Sequence, residues 1–98
     1  MKRVMVRYRV KPDQVARNEE LVRSVYAALH DLGPEGLRYA TFKLGDGVTF
    51  VHMAATEGES PLPGLKEFQV FQEGIRDRCD DPPVVSELEE VGSFRFHA

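Results

Sequence analysis

Residues 4–10 read Val-Met-Val-Arg-Tyr-Arg-Val. Val4, Val6, Tyr8 and Val10 fall on one face and Met5, Arg7 and Arg9 on the other, which is the period of a strand. Lys11-Pro12-Asp13 breaks the alternation, and proline suits the first turn of a helix. Val15, Val22, Val25, Tyr26, Leu29 and Leu32 then recur at helical spacing, which predicts a helix over 13–32. Gly33-Pro34 stops it, because glycine takes the left-handed cap position and proline forbids continuation. Residues 36–44 and 48–55 are rich in aromatic and β-branched residues and flank Gly45-Asp46-Gly47, a local hairpin signal. Residues 56–64 form a loop. Leu65, Phe68, Phe71, Gln72, Ile75 and Cys79 trace a second helical stripe, with Gly74 as a weak point inside it and Asp80-Asp81-Pro82-Pro83 as its end. A final strand is expected over 87–96, with Val91, Phe94 and Phe96 as its apolar positions.

The element order is therefore β-α-β-β-α-β. Right-handed crossovers around one central hairpin reduce this to the split βαβ, or ferredoxin-like, plan. The expected fold class is α+β: a four-stranded antiparallel sheet of order 4-1-3-2 with two helices on one face. Strand 4 would then run beside strand 1 and bring Glu87, Glu89 and Glu90 near Arg7 and Arg9, a favourable cross-strand arrangement. Strand 2 places Leu37, Tyr39 and Thr41 on one side and Ala40, Phe42 and Leu44 on the other. Strand 3 places Phe50 and Ala54 on one side and Val51, Met53 and Ala55 on the other. A sheet apolar on both faces calls for two covers. The helices supply one, and a second copy packed sheet to sheet about a twofold axis is the simplest other.

Length and charge narrow the picture further. The 98 residues suffice for one domain, 1–98, and show no linker or biased tract. A net charge of −3 weighs against a nucleic-acid partner. The basic run Lys2, Arg3, Arg7, Arg9 and Lys11 is balanced by acids from Asp77 to Glu90, so the two runs are expected to meet in the fold, with a polyanion site as the sharper alternative. Cys79 stands alone and cannot form an internal disulfide; its acidic neighbours would raise a thiol pKa, so a nucleophile is not expected. No stretch approaches the roughly 20 apolar residues of a membrane span, and no signal peptide is visible. A cytoplasmic protein is the expectation. His30, His52 and His97 lack ligand-type spacing, so no metal site is expected.

The chain resembles the antibiotic biosynthesis monooxygenase-like domains of the dimeric α/β-barrel superfamily. The carriers are the opening Val-Arg-Tyr-Arg-Val-Lys-Pro-Asp, Gly36-Leu37-Arg38-Tyr39, the run from Asp46 to His52, and the closing Val91-Gly92-Ser93-Phe94-Arg95-Phe96. The resemblance spans about residues 2–96 and rests on pattern, not on a catalytic signature. It implies a homodimer through the open sheet face. Cofactor-independent oxygenases acting on polyphenols belong to that superfamily, as do haem-degrading enzymes, isomerases and small stress-response proteins. Haem-degrading members use a tryptophan, an asparagine and a histidine on the second helix. This chain has no tryptophan, and its second helix has no histidine. Haem is not carried over, and no cofactor is expected.

Three sets of residues are candidates for chemistry. His52 lies inside an apolar strand and carries the side chain that titrates nearest neutrality. It reads either as a pocket base or ligand-binding group, or as a satisfied core or interface histidine. Arg7 and Arg9 read as anchors for a carboxylate or phenolate, or as ion-pair partners. Tyr39 and Tyr26 read as hydrogen-bond donors to a ligand, or as core. The functional expectation is a small dimeric protein acting on a small aromatic or phenolic molecule in the manner of a cofactor-independent monooxygenase. The alternative is a non-catalytic ligand-binding or interaction module. The first requires a cavity between sheet and helices, reached from the 56–64 loop and containing His52, Tyr39 or Arg7.

Overall fold

The computed structural model describes residues 1–96. Strand β1 (Lys2–Val10) is followed by a 3-10 turn at Pro12–Gln14 and helix α1 (Val15–Leu32). Strands β2 (Leu37–Lys43) and β3 (Thr49–Thr56) form the hairpin. After a short 3-10 turn at Leu62–Gly64 come α2 (Lys66–Gln72), α3 (Ile75–Arg78) and β4 (Cys79–Glu87). The sheet is antiparallel with order β2-β3-β1-β4, the expected 4-1-3-2 read from the other edge.

The predicted punctuation operates at both ends of α1. Pro12 sits in the turn that leads into the helix. Gly33 closes it at φ 59°, and its N–H donates to the Leu29 carbonyl. Leu21, Val22 and Val25 are buried against the sheet, whereas Leu32, expected on that stripe, is 60% exposed at the helix's final residue. In the hairpin, the Asp46 carboxylate accepts the backbone N–H groups of Val48 and Thr49 and the Thr49 hydroxyl. These bonds favour the anion and hold the Asp46 pKa at about 2. Gly47 takes φ +78° beside it.

The second half of the chain differs from expectation in three ways. The predicted helix over 65–79 is broken at Glu73–Gly74, where Gly74 adopts φ +76°, a conformation that suits glycine. The stretch Asp80–Pro83 does not end the helix; it lies inside β4. Prolines are tolerated there because β4 is an edge strand paired only with β1, and the register slips between Arg7↔Val84 and Arg9↔Asp81. Of the strand expected over 87–96, only Glu87 belongs to a strand. Residues 88–96 run on without regular structure, with Val91 and Phe94 exposed.

Strand 4 does lie beside strand 1, but the charge pairing is shifted along the chain. Asp81 meets Arg9 at 3.1 Å and Glu87 meets Lys2 at 3.9 Å, in place of the expected contacts of Arg7 and Arg9 with Glu87, Glu89 and Glu90. The core lies between the sheet and α1, α2 and α3, around Tyr8, Val10, Val25, Phe50 and Phe71. Among the described residues, no helix is long and apolar enough to cross a membrane.

Candidate functional site

The antiparallel register decides which residues share the helix-covered face. Val6 lies opposite His52 and Tyr8 opposite Phe50, while His52 faces Thr41 and Ala54 faces Tyr39 across the hairpin. Side chains alternate across a sheet, so Tyr8, Tyr39, Thr41 and His52 all point toward the helices. A cavity of about 290 Å³ opens between them and α2. Its walls include Tyr8, Tyr39, His52, Leu62, Phe68 and Phe71, and Ser60 contributes from the 57–65 loop. The volume is near the lower end of small-molecule sites and accommodates an aromatic ring.

His52 is 5% exposed and sits at the floor of this cavity. Its Nε2 is 2.6 Å from the Tyr8 hydroxyl, and its Nδ1 is 2.6 Å from the Tyr39 hydroxyl and 3.1 Å from Thr41 Oγ1. The rings of Tyr8, Tyr39 and Phe71 surround the imidazole at centroid distances of 5.3, 5.8 and 5.3 Å. Burial disfavours the imidazolium and pulls the His52 pKa down to about 4. Burial likewise pushes the Tyr8 and Tyr39 phenols above their usual range. At neutral pH the cluster is uncharged at all three rings.

A second layer supports it. Asn18 donates to the Tyr8 oxygen at 3.0 Å from α1, and it is fully buried. Arg78 donates from Nε to Asn18 Oδ1 at 3.3 Å, from Nη2 to the Phe71 carbonyl at 2.7 Å and from Nη1 to the Glu73 carbonyl at 3.1 Å. Its guanidinium also lies 5.5 Å from the Phe71 ring centre. Tyr26 stacks on Tyr39 at 5.3 Å and shares a 2.8 Å hydrogen bond with Thr41.

Of the residues predicted from the sequence, the structure brings together His52, Tyr39 and, behind them, Tyr26. Arg7 and Arg9 point to the opposite face of the sheet, are exposed, and do not reach the cavity. Arg9 is engaged by Asp81 (3.1 Å). The alternation of β1 forces this separation: a residue on the Tyr8 face excludes its neighbours from it. Cys79 is buried, and burial raises its thiol pKa. Among the described residues, no cluster of three potential metal ligands forms; His97 lies outside them.

Sequence reasoning missed Tyr8, Asn18, Thr41 and Arg78 as site residues. Two signals were available. Asn18 lies on the α1 stripe with Val22 and Val25, a polar residue where an apolar one is the rule, and Tyr8 shares the inward face with Val6 and Val10. Arg78 carries no local signal.

No protein-family model matches the chain, and no curated protein matches it in sequence. Solved structures do match in shape. A protein from Mycobacterium tuberculosis superposes with TM-score 0.73 at 17% identity, covering 94% of this chain and 96% of its own. An antibiotic biosynthesis monooxygenase-like protein from Nitrosomonas europaea gives 0.75 at 15% identity over 94% of this chain and 100% of its own. A variant of SnoaB, a cofactor-independent oxygenase from Streptomyces nogalater, gives 0.68 at 12% identity over 97% of both chains. At such identities the likeness is one of fold. The chain has the α+β ferredoxin-like architecture of the antibiotic biosynthesis monooxygenase-like proteins.

Proposed function

We propose that this protein works as a homodimer whose helix-side cavity binds a small aromatic or phenolic molecule and promotes its oxygenation by O2 without a cofactor. The observation that carries the reading is the cavity of about 290 Å³ floored by His52 and walled by Tyr8, Tyr39, Phe68 and Phe71. Aromatic walls suit a flat ring, and the few polar groups converge at one end, where they orient a ring oxygen. In such chemistry the substrate anion supplies the electron to O2, so the protein has to bind the ring, favour its anion and exclude water. The neutral His52 can accept a proton, yet a pKa of about 4 makes it a weak base. The substrate is therefore an acidic, electron-rich phenol, and His52 acts mainly through the Tyr8 and Tyr39 hydroxyls it holds, which orient the ring oxygen. Tyr26 buttresses Tyr39 by stacking. We place Arg7 and Arg9 at the dimer face.

The dimer reading draws on the open face, where Ala40, Phe42, Met53 and Val84 lie between arginines, with Phe42 43% and Val84 63% exposed. Light scattering at micromolar concentration is expected to return twice the chain mass; a monomer would remove this account of the face. The activity is tested with a panel of quinols and polycyclic phenols, following O2 consumption and incorporation of labelled oxygen. Turnover that survives His52→Ala and Tyr39→Phe unchanged would remove both residues from the reaction.

A second reading is supported by a specific observation: both nitrogens of His52 already have partners inside the protein. On that reading the cavity binds a ring and releases it unaltered. Saturable binding of a phenol with no O2 uptake across the panel would select it.

A further inference from the structure

Arg78 is a buried cation, 7% exposed, and among the described residues no carboxylate forms an ion pair with it. Its contacts run to two backbone carbonyls and Asn18. A guanidinium only donates hydrogen bonds. The Asn18 oxygen is therefore turned toward Arg78, which leaves the Asn18 amide NH2 facing the Tyr8 oxygen at 3.0 Å. That oxygen is an acceptor in this bond, so the single Tyr8 proton needs its own acceptor. His52 Nε2, at 2.6 Å, provides it. The reverse arrangement, with Nε2–H donating to Tyr8, leaves the Tyr8 proton without an acceptor at a residue only 2% exposed.

A neutral imidazole has one N–H and one lone pair. If Nε2 accepts, Nδ1 carries the proton and donates to the Tyr39 oxygen at 2.6 Å. The Tyr39 proton is then not spent on His52. Thr41 Oγ1, the other oxygen near Nδ1 at 3.1 Å, is itself tied to Tyr26 at 2.8 Å. Tyr39 lines the cavity, and Thr41 does not.

We propose that Arg78 and Asn18 are positioning residues that set the direction of this chain, holding His52 as its Nδ1–H tautomer so that Tyr39 offers its proton to the cavity and selects a ligand bearing an acceptor oxygen. The matching chemistry is an aryl ketone, a quinone or a phenolate. The direction of the chain stands independently, while the ligand class rests on the cavity being a ligand site, as proposed above.

The direction is read by nitrogen NMR of the His52 side chain in the intact protein. The expected result is a protonated, pyrrole-type Nδ1 and a pyridine-type Nε2; the opposite pattern overturns the proposal. Asn18→Asp is nearly isosteric and reverses the logic. The introduced carboxylate accepts from both Arg78 and the Tyr8 hydroxyl, so the Tyr8 oxygen turns to accept from Nε2–H. The tautomer should invert, and an unmoved tautomer in a folded variant overturns the proposal. If that variant does not fold, the wild-type pattern still decides.

The ligand class is read with 1-tetralone and tetralin, rings of equal size with and without a ketone oxygen. Tyr39→Phe is expected to weaken tetralone by about tenfold, one hydrogen bond's worth, and to change tetralin by less than about twofold. Asn18→Asp should weaken tetralone as well, since Nδ1 then captures the Tyr39 proton. Equal binding of the two rings to wild type overturns the ligand class. Failure of both rings to bind, with the Nδ1–H tautomer confirmed, overturns it together with the cavity reading and leaves the hydrogen-bond direction standing.

Discussion

The two faces of the sheet put the same strands to opposite uses. On the helix side, Tyr8, His52, Asn18 and Arg78 are all nearly inaccessible, yet among the described residues no buried side-chain nitrogen or oxygen lacks a partner. On the other side, β1 presents Arg7 and Arg9 to solvent, and the ion pair of Arg9 with Asp81 joins side chains that are 50% and 63% exposed. Alternate residues of one strand thus meet two regimes. A polar group on the inner face has no water to fall back on, so each lost bond exposes the full desolvation cost. An ion pair on the outer face competes with water and salt and contributes little. Cationic charge alone is therefore a poor guide to importance here: Arg78 and Arg9 differ in setting, not in kind.

Arg78→Met gives the sharpest test of that contrast. It preserves much of the bulk but strips donors from the Phe71 and Glu73 carbonyls and from Asn18. Urea denaturation is expected to show a loss of about 3 kcal/mol. A loss below about 1 kcal/mol would mean that water reaches these carbonyls and that the inner face is not dry.

Acid should act on the same face with comparable strength. The imidazole of His52 has a pKa near 4 in the fold against an ordinary 6.5, so the unfolded chain takes up its proton first as pH falls. Stability is complete above pH 6.5 and declines until about pH 4, by about 3 kcal/mol at most from this residue. Denaturation curves across that window should flatten in His52→Gln. An undiminished slope would assign the acid sensitivity to other groups.

Tyr8→Phe removes one hydroxyl from between Asn18 and His52, leaving two buried groups to find new partners. The expected cost is about 1–2 kcal/mol. Arg9→Ala, its outer-face counterpart one residue along, should change stability by less than about 1 kcal/mol, with the difference vanishing in high salt. If Arg9→Ala proved the costlier of the two, Arg9 would lie at the dry centre of the proposed dimer face and not at its solvated rim.

Much of the fold was legible in local pattern. The alternation of residues 4–10 assigned Tyr8 to the inner face and Arg7 and Arg9 to the outer one, as observed. Gly33-Pro34 marked the end of α1. His52 and Tyr39 were singled out by residue type, and the structure places them in contact. The misreadings cluster after residue 72. Local pattern makes Gly74 a weak point inside one helix and Asp80–Pro83 its terminator, whereas the chain turns at Gly74 and pairs from Cys79 onward.

The sequence by itself determined the order of elements and the face on which each residue of the first three strands lies, because both follow from short-range periodicity. Tertiary structure decided the rest. Whether two prolines can sit in a strand depends on that strand being an edge, which is a property of the whole sheet and not of residues 80–83. Whether His52 is a free base or a bonded, uncharged ring depends on Tyr8, 44 residues away, and on the pairing of Asn18 with Arg78 across 60 residues. Periodicity encodes the side a residue faces; only the packed chain brings together the partners that give it a charge state and a proton.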